Sequence, residues 1–191
     1  MNRQNANIIT ALGILITAWF NVLLWTGPQN PLFMLAIAFA IGATDLFDGY
    51  IARKKDIVSD LGKSLDRFRD KMFVCPFFVK EIIGLSGNTG SAENIIRCSL
   101  GVIIAIEASI VIMWVIGISR NMDVELHRAG KIKTVLYSIA VFLMLFSDFL
   151  QKNFQGIDLI AFSDWIISAI LVLSAFFAFY SFLGYVKRYS L

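Results

Sequence analysis

Charge is scarce in this chain. Only 16% of its 191 residues are Asp, Glu, Lys or Arg, where a soluble domain carries about a quarter. That shortage argues against a soluble fold. The 58% of hydrophobic residues argues for an integral membrane protein. Histidine is almost missing: His127 is the only one, and its polar surroundings make it an exposed side chain rather than a catalytic one. The two cysteines, Cys75 and Cys98, lie far apart and without metal-ligand spacing. A thiolate or imidazole metal centre therefore has no donors, and both thiols are expected to be buried. Internal repeats and low-complexity tracts are absent. The first apolar run follows a single Arg and lacks a small-residue cleavage site, so it is expected to be a retained span rather than a cleaved leader. The net charge of +3 is small, and no nucleic-acid partner is expected.

What the chain does have is apolar segments, six of them: Ile8–Trp25, Pro31–Phe47, Ser64–Gly84, Ser99–Ile118, Thr134–Phe149 and Leu159–Tyr185. Most approach the roughly 20 residues a helix needs to cross the hydrocarbon core. The second and fifth are short, so their polar ends are expected to continue as helix. The fold expected is an all-α integral membrane protein of six transmembrane helices, one domain over residues 1–191. Lys and Arg set its orientation. If six helices alternate, fourteen of the seventeen basic residues fall on one side, and only Lys80, Arg97 and Lys152 on the other. The positive-inside rule then puts both termini in the cytoplasm of a multi-pass cell-membrane protein.

Four aspartates break the apolar pattern. Asp45 and Asp48 are three apart, Asp66 and Asp70 four apart, so on helices each pair shares a face. Clustered carboxylates are hard oxygen ligands that suit Mg²⁺, Mn²⁺ or Ca²⁺ rather than zinc. Such cations beside cationic side chains neutralise phosphate oxygens and stabilise a leaving group. Arg53 offers a bidentate contact to a phosphate, and Gly49 and Gly62 let a ligand approach the backbone. A carboxylate beside the metals can accept a proton from an attacking hydroxyl. Taken together, these residues describe a membrane enzyme acting on a diphosphate with one end in lipid. A small divalent-cation carrier is the reading from another class. It would place polar residues near the bilayer midplane, often within repeats.

Asp45-x2-Asp48-Gly49-x2-Ala52-Arg53-x8-Gly62-x3-Asp66-x3-Asp70 holds eight fixed residues in 26 positions, and it resembles the signature of the CDP-alcohol phosphotransferase family (the CDP-alcohol phosphatidyltransferases). The six-span layout is similar to that family's as well. The resemblance implies that Asp45, Asp48 and Asp66 are metal ligands. Asp70 would be the catalytic base, also within reach of two Mg²⁺ or Mn²⁺ ions. Gly49, Ala52, Arg53 and Gly62 would line the CDP moiety. The implied reaction is attack of an alcohol on the β-phosphorus of CDP-diacylglycerol, releasing CMP, at the cytoplasmic face of a homodimer.

Asp48-Gly-Tyr-Ile-Ala-Arg-Lys54, Gly62-Lys-Ser-Leu-Asp66 and Gly130-Lys131-Ile-Lys133-Thr134 resemble the phosphatidylglycerophosphate synthase branch, as does Glu107. That makes glycerol 3-phosphate the implied acceptor, with phosphatidylglycerol, inositol phosphate or serine as alternatives. Three departures bear on the acceptor. Gly13, Ile106 and Trp114 stand where the branch usually has arginines. Arg67 and Arg69 are the candidates to compensate, and Lys131 and Lys133 are the remaining acceptor-binding candidates. Glu107, in an apolar segment, needs a partner.

Overall fold

The computed structural model describes the backbone of residues 3–27, 30–54, 60–85, 90–119, 128–154 and 159–189, and within these the side chains of 11–27, 30–44, 65–85, 90–117, 130–154 and 163–187. The described residues form six helices: α1 (Arg3–Thr26), α2 (Pro31–Lys54), α3 (Asp60–Gly84), α4 (Ser91–Ser119), α5 (Arg128–Asn153) and α6 (Leu159–Tyr189). Each contains one of the six apolar segments and runs past it. The polar ends of α2 and α5 do continue as helix, to Lys54 and from Arg128.

Among the described residues three stretches are long and apolar enough to cross a bilayer: Ser91–Gly117, Gly130–Asn153 and Ser163–Lys187. The shorter apolar stretches Ala11–Thr26 and Pro31–Thr44 lie in α1 and α2. α3 is the least apolar helix, because its first three turns carry Asp66, Arg67, Arg69, Asp70 and Lys71. The chain is a multi-pass membrane protein.

Local chemistry sets the helix starts. Asn30 caps α2: its carboxamide oxygen accepts the Leu32 N–H at 3.2 Å, and its carbonyl accepts Met34 N–H at 3.1 Å. Pro31 then occupies the first helical position, where no N–H is needed. At α4, Glu93 reaches back to accept the Gly90 N–H at 2.8 Å, which is half of a capping box. A Cβ on residue 90 would overlap that carboxylate, so a larger residue there would make the Glu93 side chain swing aside and disturb this cap.

The chain divides into two compact units, 1–77 with 144–155 and 78–143 with 156–191. In the first, α1 packs along α2. Phe20 stacks tilted on Phe73 and Phe77, at 5.2 and 6.5 Å between centroids. Pro76 lies inside α3. Proline has no N–H, so the carbonyl four residues earlier, Met72, loses its helical partner. Asn21 of α1 supplies one: its Nδ2 donates to Met72 O at 2.8 Å and to Thr17 O at 3.1 Å. In lipid no water can take that role, so the proline of one helix calls for a donor on another.

In the second unit α4 packs along α6. The buried positions among the described residues of α6 are Ile167, Ser168, Leu171, Ser174, Ala178, Ser181 and Tyr185, which apart from the adjacent pair 167–168 recur every three or four residues. Small residues on such a stripe let backbones approach closely, which is what drives helix association in lipid. Ser174 satisfies its hydroxyl on Ile170 O at 2.6 Å. Ser168 donates to Asp164 O at 2.7 Å and to Ala92 O of α4 at 3.2 Å.

The expectation for the cysteines needs correcting. Cys98 is exposed on α4 and Cys75 is only partly buried, and the two are not joined in a disulfide. A thiol is apolar enough to face lipid, so in a membrane protein it need not be buried in the protein core.

Candidate active site

The eight-residue motif divides between two helices. α2 carries Asp45, Asp48, Gly49, Ala52 and Arg53 in its last turns, and α3 carries Gly62, Asp66 and Asp70 in its first. Both aspartate pairs therefore do lie on helices, as their spacing requires. The side chains of Asp45, Asp48, Gly49, Ala52, Arg53 and Gly62 lie outside the described residues. On α3, Asp66 and Asp70 stand one turn apart. The Asp66 side chain is 53% exposed, and Asp70 is partly buried.

Among the described residues of the cluster Arg69 is the best enclosed. Its side chain is 1% exposed, and its Nη2 donates to Asp66 Oδ1 at 3.0 Å. Arg67 and Asp70 add favourable charge interactions, with Asp66 and Arg69 respectively. The guanidinium lies against α1 at Gly13: a Cβ built there would stand 2.5 Å from Arg69 Nη1 and 3.3 Å from its Cδ. Position 13, where the resembled branch carries an arginine, is thus faced by a guanidinium delivered from α3. Arg69 also heads the buried stripe of α3 that continues through Phe73 and Phe77, four residues apart each time.

The second unit holds another charged cluster. Glu107 of α4 is buried, and its Oε1 accepts from Lys133 Nζ at 2.5 Å and from Tyr137 OH at 3.0 Å, both on α5. The partner that Glu107 needs is therefore Lys133, itself buried. Lys131, two residues earlier, is exposed. Of the four acceptor-binding candidates, Arg69 and Lys133 are bonded to carboxylates, Arg67 is partly buried and Lys131 is exposed. Sequence reasoning passed over Tyr137. Its spacing of four from Lys133 puts both on one face of α5, but no pattern in the sequence says which helix that face meets.

Among the described residues no three acidic, His or Cys side chains gather as a metal cage. The donor chemistry nonetheless fits a hard divalent cation, because Asp66 and Asp70 offer carboxylate oxygens on adjacent turns.

The chain matches the CDP-alcohol phosphatidyltransferase family over residues 3–180 and belongs to that family. It is a membrane-bound transferase of phospholipid biosynthesis, of a family that generally depends on a divalent cation. Among curated proteins it is 28% identical over 141 residues to the CDP-diacylglycerol–glycerol-3-phosphate 3-phosphatidyltransferase of Wigglesworthia glossinidia brevipalpis, a match that covers 73% of this chain and 75% of that protein. The cation-carrier reading is set aside.

Proposed function

We propose that this enzyme transfers the phosphatidyl group of CDP-diacylglycerol to a hydroxyl of glycerol 3-phosphate, giving phosphatidylglycerophosphate and CMP. The observation that carries the reading is the complete motif, spread over the end of α2 and the start of α3 in a chain of this family. The name of the curated relative supports the acceptor.

Asp45, Asp48, Asp66 and Asp70 would hold two divalent cations, Mg²⁺ or Mn²⁺. When bound, these ions neutralise the diphosphate oxygens and stabilise CMP as the leaving group. Asp70 takes the proton of the attacking hydroxyl while the new P–O bond forms at the β-phosphorus and the bond to CMP breaks. Gly49, Ala52, Arg53 and Gly62 bind the CDP moiety, with Arg53 on its phosphates. Arg67, beside the motif aspartates, is the candidate for the acceptor's own phosphate, because Arg69 already serves the Asp66 carboxylate. Lys131 is the separate candidate of the second unit, where Lys133 already serves Glu107. Six spans, cytoplasmic termini, a cytoplasmic active site and a homodimer complete the proposal. The distribution of Lys and Arg supports the orientation.

Gly13, Ile106 and Trp114 favour a second reading, the same chemistry with a different acceptor such as phosphatidylglycerol, inositol phosphate or serine. One experiment decides between the two. Purified protein is incubated with CDP-diacylglycerol and each acceptor in turn, and CMP release is followed. Release with glycerol 3-phosphate alone supports the first reading; release only with another acceptor overturns it.

A further inference from the structure

Arg69 is the largest side chain that the described residues bury completely. Enclosing a guanidinium between helices is costly, and an apolar residue of similar volume commonly packs there at least as well. Fold stability therefore does not explain an arginine at this position. On one side of the guanidinium is Asp66 Oδ1 at 3.0 Å. On the other is the bare backbone of Gly13, close enough that even a methyl group would collide with Nη1. Glycine inside a helix is disfavoured relative to alanine, and Gly13 lies well inside α1. Thr17 Oγ1 donates to the Gly13 carbonyl at 2.9 Å, which ties that turn to the next. A helix-weakening residue on α1 thus meets a costly cation on α3, and the one makes room for the other.

We infer that Gly13 and Arg69 act as one positioning device for Asp66. The notch at Gly13 seats the guanidinium, the guanidinium holds Oδ1, and the carboxylate keeps its second oxygen for the divalent cation. The inference rests on the proposed role of Asp66 as a metal ligand. It makes Arg69 a positioning residue and gives it a task different from that of Arg67. It also makes position 13, on another helix, a determinant of metal affinity. Groups that orient metal ligands typically change affinity by about 10–100-fold when removed. The opposite relation is also physically available. A guanidinium bonded to a ligand oxygen can compete with the metal, and its removal would then tighten binding.

The test is a double-mutant cycle on the purified full chain in detergent micelles. Wild type, Gly13→Ala, Arg69→Ala, Arg69→Lys and Gly13→Ala/Arg69→Ala are titrated with Mn²⁺ by electron paramagnetic resonance, and each Tm is recorded without metal. Gly13→Ala should fold, because the atom its methyl meets most closely is the far end of a flexible side chain. Gly13→Ala and Arg69→Ala should each weaken Mn²⁺ binding by about 10-fold or more. Arg69→Lys should lose less. In the Arg69→Ala background, Gly13→Ala should leave Mn²⁺ affinity unchanged and raise the Tm, since the methyl then meets no guanidinium and the helix gains from alanine. Arg69→Ala with unchanged or tighter Mn²⁺ binding, or additive effects of the two alanines, would overturn the inference alone. A wild-type protein that binds no Mn²⁺ would overturn the metal reading and the inference with it.

Discussion

Asn21→Leu should cost far more when residue 76 is proline than when it is alanine. The substitution keeps the side-chain volume and removes the donor that serves Met72 O at 2.8 Å. With Pro76 in place, that carbonyl has no helical N–H to turn to. An unpaired buried acceptor costs about 1–3 kcal/mol. Hydrogen bonds between membrane helices average only about 0.6 kcal/mol, with a maximum near 1.7. One term offsets the loss: Asn21 Oδ1 is itself buried without a hydrogen-bond partner, and leucine removes it. The net loss expected is therefore about 1–2 kcal/mol. Pro76→Ala returns an N–H to α3 four residues after Met72, and the carbonyl can rejoin the helical ladder. In that background Asn21→Leu should cost no more than about 0.5 kcal/mol. The measurement is reversible unfolding in mixed micelles by SDS titration, followed by tryptophan fluorescence, on the wild type, both single variants and the double. An equal cost of Asn21→Leu in the wild-type and Pro76→Ala backgrounds would refute the argument, because it would mean that the carboxamide contributes by packing alone.

Four further outcomes are expected. EDTA should abolish CMP release, with Mg²⁺ or Mn²⁺ restoring it, and undiminished turnover in metal-free buffer would remove the cations from the reaction. Asp70→Asn should slow turnover by about 10²–10⁴-fold while CDP-diacylglycerol binding at saturating Mg²⁺ is retained, and turnover within a few-fold of wild type would exclude Asp70 as the base. Arg67→Ala should raise the KM for glycerol 3-phosphate more than the KM for CDP-diacylglycerol, whereas an unchanged acceptor KM would leave Arg67 only a topological role. Single cysteines introduced near residues 4 and 189 should resist impermeant thiol reagents on intact cells, and ready labelling from outside would overturn the proposed orientation.

The helices were the legible part of this chain. Apolar runs bounded by Gly, Asn and Ser located all six, and the three-and-four spacing of the aspartates put both pairs on helical faces. The ends were harder to read, because hydropathy stops where a helix leaves lipid while its hydrogen bonds continue, as α2 does to Lys54. The partners of the buried charges could not be read at all. Lys133, a candidate ligand for phosphate by sequence, is bonded to Glu107, 26 residues away. The sequence shows that a carboxylate in an apolar run needs a cation but does not say which of several will reach it. Gly13 looked like a missing arginine, and only the packing of α1 on α3 shows a guanidinium already seated against it. The same gap explains Asn21. Pro76 announces an orphan carbonyl in α3, but nothing local says who serves it.

That orphan carbonyl bears on biogenesis. Under the proposed six-span topology, α3 is the helix least able to enter a bilayer alone. Each ion near a helix centre costs about 2.5–3.5 kcal/mol to insert, less toward the ends, and the proline adds an unpaired backbone group. Both of its needs are met by α1: Asn21 for the Met72 carbonyl, and the backbone at Gly13 as the seat for Arg69. α1 is made first. During synthesis its donor and its notch are already in the membrane when α3 leaves the ribosome, so the order of the chain is also the order in which the needs of α3 can be met. In a chain that carried the α1 sequence after α3, α3 would have to enter the membrane before its partner existed.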